Sequence, residues 1–131
     1  MKALAPLLAI GLALALGCHA QVCAGPNLHR TRIGGDAINA HISLQHKPLK
    51  SAPVHLLSRD RTVWVGSTDK NGSFRVKGLR PGTYRLTVEG WGSATIRITP
   101  DPPKSPGNEQ TLQYSLLLAD NECIASVVVM N

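Results

Sequence analysis

The histidine, cysteine and carboxylate side chains of this 131-residue chain are the groups that metal binding or nucleophilic catalysis would use. A zinc site would require several histidines to converge in the fold. Four histidines follow the apolar N-terminus: His29, His41, His46 and His55. His41 falls on the polar phase of an alternating segment, and His55 lies between two apolar residues. We therefore interpret the histidines as solvent-facing side chains, and we expect no metal ion and no other cofactor.

Acid–base and nucleophilic catalysis have no candidate residue either. No serine lies in the Gly-x-Ser-x-Gly pattern of a nucleophile elbow. The carboxylates are scattered mainly at turns, where an aspartate commonly bonds to its own backbone. They include Asp60, Asp69, Glu89, Asp101, Glu109, Asp120 and Glu122. We nominate no catalytic residue and predict that the protein is not an enzyme.

The basic side chains have the clearest binding chemistry, because the formal net charge of the chain is +6. Four of them fall on the outward phase of predicted strands: Arg75, Lys77, Arg85 and Arg97. If those strands are neighbours, the four side chains form a cationic face. Such a face would attract the phosphates of lipopolysaccharide or acidic glycans, and more weakly as salt rises. The alternative is a solvated surface that only aids solubility.

The two tryptophans are the second candidate for ligand binding. Trp64 has the opposite phase to Val63 and Val65, and Trp91 lies in a predicted turn, so both rings are candidates for stacking on a sugar. The alternative is that each ring covers an edge of the core. We expect no nucleic-acid binding, because the chain lacks an aromatic stacking platform for bases.

The N-terminal segment has the pattern of a secretory signal. A positive charge at Lys2 precedes an uncharged apolar stretch over residues 3–17. That stretch is too short to span a bilayer. Small residues at Cys18 and Ala20 predict cleavage before Gln21, which gives a signal peptide over residues 1–20 and a secreted or periplasmic bacterial protein.

The same segment leaves a second localisation open. Residues 14–18 resemble a bacterial lipoprotein box, in which Cys18 would carry the lipid. The protein would then be anchored to a membrane through Cys18, and otherwise it would have no membrane contact.

Cleavage before Gln21 leaves two cysteines, Cys23 and Cys123. An even pair in an oxidising compartment predicts a disulfide, which would join the two ends of the mature chain. The alternative is two free thiols.

Alternation of apolar and polar residues with a period of two dominates the chain from residue 37 onwards, and this pattern predicts strands. The expected inward residues are Ile38 with Ala40 and Ile42, Val54 with Leu56, Val63 with Val65, Phe74 with Val76, Tyr84 with Leu86, Ala94 with Ile96, and Leu112 with Tyr114; residues 123–129 form a last strand. We predict an all-β fold, a seven- to eight-stranded antiparallel β-sandwich. Residues 21–36 would form an irregular arm, and residues 99–110, rich in proline, a surface loop.

Two dipeptides predict specific turns. Asn71 and Gly72 accept the positive φ of a tight hairpin. Pro81 presets φ at the second position of a type II turn, and Gly82 suits its left-handed third position.

These turns lie in two longer motifs, Thr-Asp-x-x-Gly-x-Phe at residues 68–74 and Pro-Gly-x-Tyr-x-Leu at residues 81–86. Over residues 36–98 the sequence resembles the carboxypeptidase regulatory-like domain, a β-sandwich of the transthyretin-like (prealbumin-like) type. The resemblance implies that residues 37–131 form such a domain, which accompanies exported proteins without performing chemistry.

We therefore expect an exported, non-catalytic β-sandwich module that binds or supports a partner at the cell envelope, either an envelope polysaccharide or another exported protein. Three alternatives remain open at this point. One is a carbohydrate-binding module that uses Trp64 and Trp91, and another is a small hydrolase on a transthyretin-like scaffold. The third is an inhibitor that inserts the proline-rich loop into a partner.

Overall fold

The computed structural model describes residues 23–25, 28, 31–100 and 110–130. These contain ten strands: β1 (Thr31–Gly34), β2 (Ile38–Leu44), β3 (Lys47–Pro48), β4 (Pro53–Ser58), β5 (Arg61–Ser67), β6 (Ser73–Val76), β7 (Gly82–Val88), β8 (Gly92–Thr99), β9 (Thr111–Ala119) and β10 (Glu122–Met130). The predicted signal peptide, the lipoprotein-box cysteine Cys18, His29 and most of the proline-rich loop lie outside the described residues. Within the described ranges, no helix has the length and apolar character needed to cross a membrane.

The strands form two sheets that share one core, which confirms the predicted β-sandwich. The first sheet has the order β1-β8-β7-β4-β5, and the second has β10-β9-β2, with β3 and β6 both paired to β2. The sheets are mixed rather than wholly antiparallel, because β1 pairs with β8 and β2 pairs with β9 in parallel. Parallel neighbours need long connections between strands, so the short turns of the sequence do not reveal them.

The segment predicted to be an irregular arm contains β1. Thr31 and Ile33 are buried, while Arg32 between them is exposed, and the strand pairs with the second half of β8. Four alternating residues are too short a run to be distinguished from a loop by pattern alone. The strand is defined by its partner in the sheet rather than by its own sequence.

Alternation identifies the inward residues correctly on most strands, because a strand buried on one face must place every second side chain in the core. The largest fully buried side chains include Ile38 and Ile42 of β2, Leu86 of β7 and Ile96 of β8. Tyr84 and Tyr114 are also buried.

Strand β5 has the opposite phase to the one predicted. Val63 and Val65 are 50% and 60% exposed, whereas Trp64 is half-buried and packs on the core. The Trp64 ring stacks on Phe74 of the second sheet, with 5.4 Å between the ring centroids. The pairing of β4 with β5 shifts register between Leu56 and Leu57, and such a bulge changes which face a side chain points to. The prediction that Val63 and Val65 face the core was wrong.

Three hairpins close with two-residue turns in which both residues have positive φ, as in type I′ turns. These turns are Gln45–His46, Arg59–Asp60 and Asp120–Asn121. Their twist matches that of the flanking strands, which explains why side chains are accepted in the left-handed region.

The predicted Asn-Gly hairpin is instead a connection between the two sheets. It leads from β5 to β6, and only Gly72 of the pair has a positive φ, 75°. Gly82, predicted to take the left-handed position of a type II turn, begins β7 with a φ of 155°. Gly78, at a φ of 74°, supplies the left-handed residue of that connection.

Residues 68–74 hold this connection in place. The buried Thr68 hydroxyl donates to the carbonyl oxygen of Leu49 and accepts from the amide of Ala52. The Asp69 carboxylate accepts the amides of Asn71 and Ser73, and these bonds hold the pKa of Asp69 below its usual value. The motif that indicated the family is therefore a structural element that joins the sheets.

The hydroxyl of one buried tyrosine has a hydrogen-bond partner, and that of the other has none among the described residues. We therefore predict that removing each hydroxyl has opposite effects on stability. The Tyr84 hydroxyl donates to the carbonyl oxygen of Arg80 at 2.7 Å, so Tyr84→Phe should lower the free energy of unfolding by about 1 kcal/mol. The Tyr114 hydroxyl has no partner among the described residues, so Tyr114→Phe should raise it by about 1 kcal/mol. Urea unfolding at neutral pH measures both changes.

The pH dependence of the same variants provides the control. Burial raises the pKa of Tyr114 from 10 to about 12, so the unfolded chain loses this proton first as pH rises. Ionisation of Tyr114 in the unfolded chain therefore leaves the free energy of unfolding unchanged below pH 10 and lowers it as pH rises from 10 to about 12. Tyr114→Phe should lack that loss, while Tyr84→Phe should keep it. A Tyr114→Phe variant as destabilised as Tyr84→Phe would contradict the assignment.

Candidate functional site

The structure divides the four predicted basic residues between separate surfaces. Arg85 of β7 and Arg97 of β8 lie on adjacent strands and point outward from the first sheet. Arg75 is on the outer side of the second sheet, in β6, and Lys77 follows the end of that strand. The four side chains therefore do not form one cationic face.

A smaller basic surface exists on the first sheet and includes a residue that the sequence patterns missed. Arg32 of β1 is directly opposite Arg97, and Arg85 is two residues further along β7 than Thr83, the residue that pairs with Arg97. We call Arg32, Arg85 and Arg97 the arginine face. All three are exposed, and neighbouring strands of a sheet lie about 4.8 Å apart. The signal available in the sequence was the position of Arg32 between Thr31 and Ile33; in the structure those two residues are buried and Arg32 is exposed.

The described neighbours of the arginine face do not neutralise it. Thr83 lies opposite Arg97, and Thr95 lies opposite Arg85. Within the described residues, Asp60 is the one carboxylate in an ion pair with the arginine face, 3.7 Å from Arg85, and both side chains are exposed. Such an exposed pair contributes little, and like charges directly opposite on two strands repel each other. Among the described side chains, the surface around Arg32 and Arg97 therefore keeps an excess of positive charge.

A groove lies beside the first sheet, between β5 and the connection from β6 to β7, and it reaches the start of β7 at Thr83. We call it the edge groove, and its volume is about 800 Å³. Three cationic side chains line it: Arg59, Lys77 and Arg80. Its apolar lining includes Trp64 and Tyr84, and no acidic residue is among the lining residues. Sequence patterns missed Arg59 and Arg80 because both lie in connections, which have no periodicity.

The two tryptophans do not share a surface. Trp64 lies in the edge strand β5 and packs on Phe74, while Trp91 is half-buried in the turn between β7 and β8. The carbonyl oxygen of Trp91 accepts the amide of Cys23, which ties this turn to the N-terminal arm. Each ring therefore covers part of the core.

The described histidines are also separate from one another. His46 is exposed in the turn between β2 and β3, and His41 is on the outer side of β2. His55 lies on the outer side of the first sheet, with its Nε2 3.8 Å from a carboxylate oxygen of Glu89. Among the residues that the structure describes, no three histidine, cysteine or acidic side chains are grouped as a metal site requires.

Cys23 and Cys123 form a disulfide. The bond fixes the N-terminal arm beside β10, where Ala24 forms a parallel bridge with Ile124. The amide of Ala24 donates to the carbonyl oxygen of Cys123, and the amide of Ala125 donates to that of Ala24. The arm thus covers the first part of the β10 edge.

Comparison with known protein families agrees with this architecture. The model of the carboxypeptidase regulatory-like domain matches residues 42–113, which include the strands from β4 to β8 and the inter-sheet motif. No curated protein matches the chain. The chain therefore belongs to the carboxypeptidase regulatory-like domain family and is a β-sandwich module.

Proposed function

We propose that the protein is an exported accessory module that holds an anionic polymer of the cell envelope on its arginine face. The observation that carries this proposal is the direct pairing of Arg32 with Arg97 on adjacent strands. Neither arginine has an ion pair with another described residue. Two guanidinium groups held together in this way favour a ligand that brings negative charge to both.

The shape of the surface favours a polymer over a small molecule. The arginine face is part of an exposed sheet, whereas small ligands usually bind in enclosed pockets. A guanidinium group accepts a carboxylate or phosphate through two parallel hydrogen bonds. Threonine hydroxyls at Thr83 and Thr95 add uncharged donors beside the arginines. Acidic polysaccharides and phosphate-bearing glycolipids both have repeated charges that suit this arrangement.

The test compares binding of the purified protein to polygalacturonate, to lipopolysaccharide and to neutral dextran. Arg32→Gln with Arg97→Gln should weaken binding to the acidic ligands at least about tenfold, which corresponds to about 1.4 kcal/mol. Binding of the unaltered protein should fall as salt rises, since salt screens exposed charges. Polygalacturonate and lipopolysaccharide distinguish a carboxylate ligand from a phosphate ligand.

A matched control removes the same charge elsewhere. Lys47→Gln with Lys50→Gln changes two exposed cations near β3, on the second sheet. This control should bind almost as the unaltered protein does. Equal weakening by both double variants would show that net charge alone is responsible, and dextran binding as strong as that of the acidic polymers would exclude the proposal.

Export is the other part of the proposal. The apolar segment over residues 3–17 and the Cys23–Cys123 bond support it, because disulfides persist in oxidising compartments. Intact mass of the protein from fractionated cells tests it. Cleavage before Gln21 gives a periplasmic or secreted chain, whereas a lipid on Cys18 gives a heavier, membrane-associated one. A cytoplasmic protein that keeps the segment would refute export.

A further inference from the structure

The outer edge of β5 exposes backbone groups and apolar side chains together. β5 is the last strand of the first sheet, and among the described residues it pairs only with β4. Val65 is the most exposed large apolar residue of the described chain, at 60%, and Val63 is 50% exposed. Natural edge strands usually carry charges or prolines that prevent pairing. The stretch from Val63 to Ser67 has neither.

Thr68, which directly follows β5, shows which backbone groups of the strand bond to β4 and which do not. The amide of Thr68 donates to the carbonyl oxygen of Ala52, and the carbonyl oxygen of Thr68 accepts from Ser51, so its backbone faces the β4 side. Backbone direction alternates along a strand. Gly66, paired with Val54, and Trp64, paired with Leu56, therefore face β4 as well. The backbone N–H and C=O groups of Val65 and Ser67 consequently point away from β4, toward the outer edge of the sheet.

The edge groove begins beside β5 and is positively charged, so it is complementary to an acidic ligand. Val63 and Trp64 belong both to β5 and to the groove lining. The groove brings Arg59, Lys77 and Arg80 together without an acidic lining residue. No ion pair joins these three cations to another described residue.

We propose that β5 binds an extended segment of another protein by strand addition, and that this segment alternates apolar and acidic side chains. The segment pairs with the outward backbone groups of Val65 and Ser67. Its apolar side chains cover Val63 and Val65, and its acidic side chains reach the three cations of the edge groove. Main-chain bonds supply affinity in such complexes, and side-chain pockets supply specificity. This inference goes beyond the proposed function, since it assigns a protein partner to the edge of β5 rather than a polymer to the arginine face.

The edge of β10 is the competing candidate and fits less well. Ile124, Val128 and Met130 are exposed there. However, the N-terminal arm already bonds to this edge at Cys123 and Ala125. No basic or acidic residue lies between Cys123 and Met130 to select a charged partner.

The experiment uses the purified protein and a short capped peptide of alternating valine and glutamate. We expect saturable binding, measured by calorimetry, and slower hydrogen exchange of the Val65 and Ser67 amides in the complex. Val65→Pro removes the central outward donor at an edge position where proline is tolerated, and it should weaken binding at least about tenfold. Lys77→Glu with Arg80→Glu tests the charge of the groove and should weaken binding to a similar degree.

Matched controls separate strand addition from simple attraction. Lys47→Glu with Lys50→Glu makes the same charge change away from the edge groove and should leave binding almost unchanged. A peptide of the same composition with a central proline, and one with lysine in place of glutamate, should both bind at least about tenfold more weakly. Circular dichroism confirms that each variant is folded.

Three results would overturn the inference. The first is no binding of the valine–glutamate peptide, and the second is equal binding of the proline-interrupted peptide. The third is concentration-dependent dimerisation without peptide that Val65→Pro abolishes, because the occupant of the edge is then a second copy of this chain. The arginine-face variants Arg32→Gln and Arg97→Gln should not affect this peptide, so each proposal fails independently of the other.

Discussion

Replacing both Cys23 and Cys123 by serine is expected to lower the free energy of unfolding by about 4.7 kcal/mol. The two cysteines are 100 residues apart, and a cross-link across a loop of that length strongly restricts the unfolded chain. A small domain has a total stability of about 5–15 kcal/mol, so the loss would remove much of it. Urea unfolding followed by circular dichroism measures the difference.

The double substitution avoids leaving one free thiol, and the chemically reduced protein serves as its control. Reduction of the unaltered protein should lower stability by a similar amount, and reduction should not affect the double variant. Loss of the bond also releases the arm from the turn at Trp91 and from β10, so the amides of Cys23 and Ala125 should exchange faster. A cost below about 1 kcal/mol would show that the arm stays in place without the bond, through its backbone contacts alone.

Trp64→Ala is expected to lower the free energy of unfolding by about 3 kcal/mol, at the low end for a large aromatic residue because the ring is half-buried. The ring stacks on Phe74 and therefore joins the two sheets at the side of the sandwich away from the disulfide. A methyl group added at Gly66 would lie 2.5 Å from ring atoms of Trp64, so the ring also covers this glycine. Urea unfolding again gives the value.

Val65→Ala is the matched control on the same strand, since the Val65 side chain points away from the core. We expect it to change stability by less than about 0.5 kcal/mol, as is usual for exposed positions. Gly66→Ala should instead destabilise the protein, because the Trp64 ring must move. If Val65→Ala costs more than Trp64→Ala, the valines face the core and the phase of β5 is the one that alternation alone predicts.

Strand β5 shows where apolar–polar alternation fails to predict which side chains face the core. Alternation gave the inward residues of β2, β7 and β8, because their two phases differ clearly in polarity. In β5 both phases contain large apolar residues at Val63, Trp64 and Val65, so period two cannot choose between them. The bulge beside Leu57 and the ring of Phe74 decide the phase, and both depend on the tertiary fold.

The candidate surfaces were predictable only in part for the same reason. The outward phases of Arg85 and Arg97 follow from alternation, and they do lie on neighbouring strands. Their pairing with Arg32 depends on the parallel contact of β1 with β8, which joins segments far apart in the chain. Arg75 was correctly placed outward but belongs to the other sheet, and sheet membership is not encoded in a local pattern.

The parallel pairing of β1 with β8, together with the contact of Ala24 with β10, also determines when the molecule can fold during its synthesis. The earliest described residues complete their hydrogen bonds only after residues 96–99 and 123–125 have left the ribosome. Contacts between such distant residues slow folding, since a long loop must close before they form. Until those later segments have been synthesised, the nascent polypeptide cannot reach its final shape.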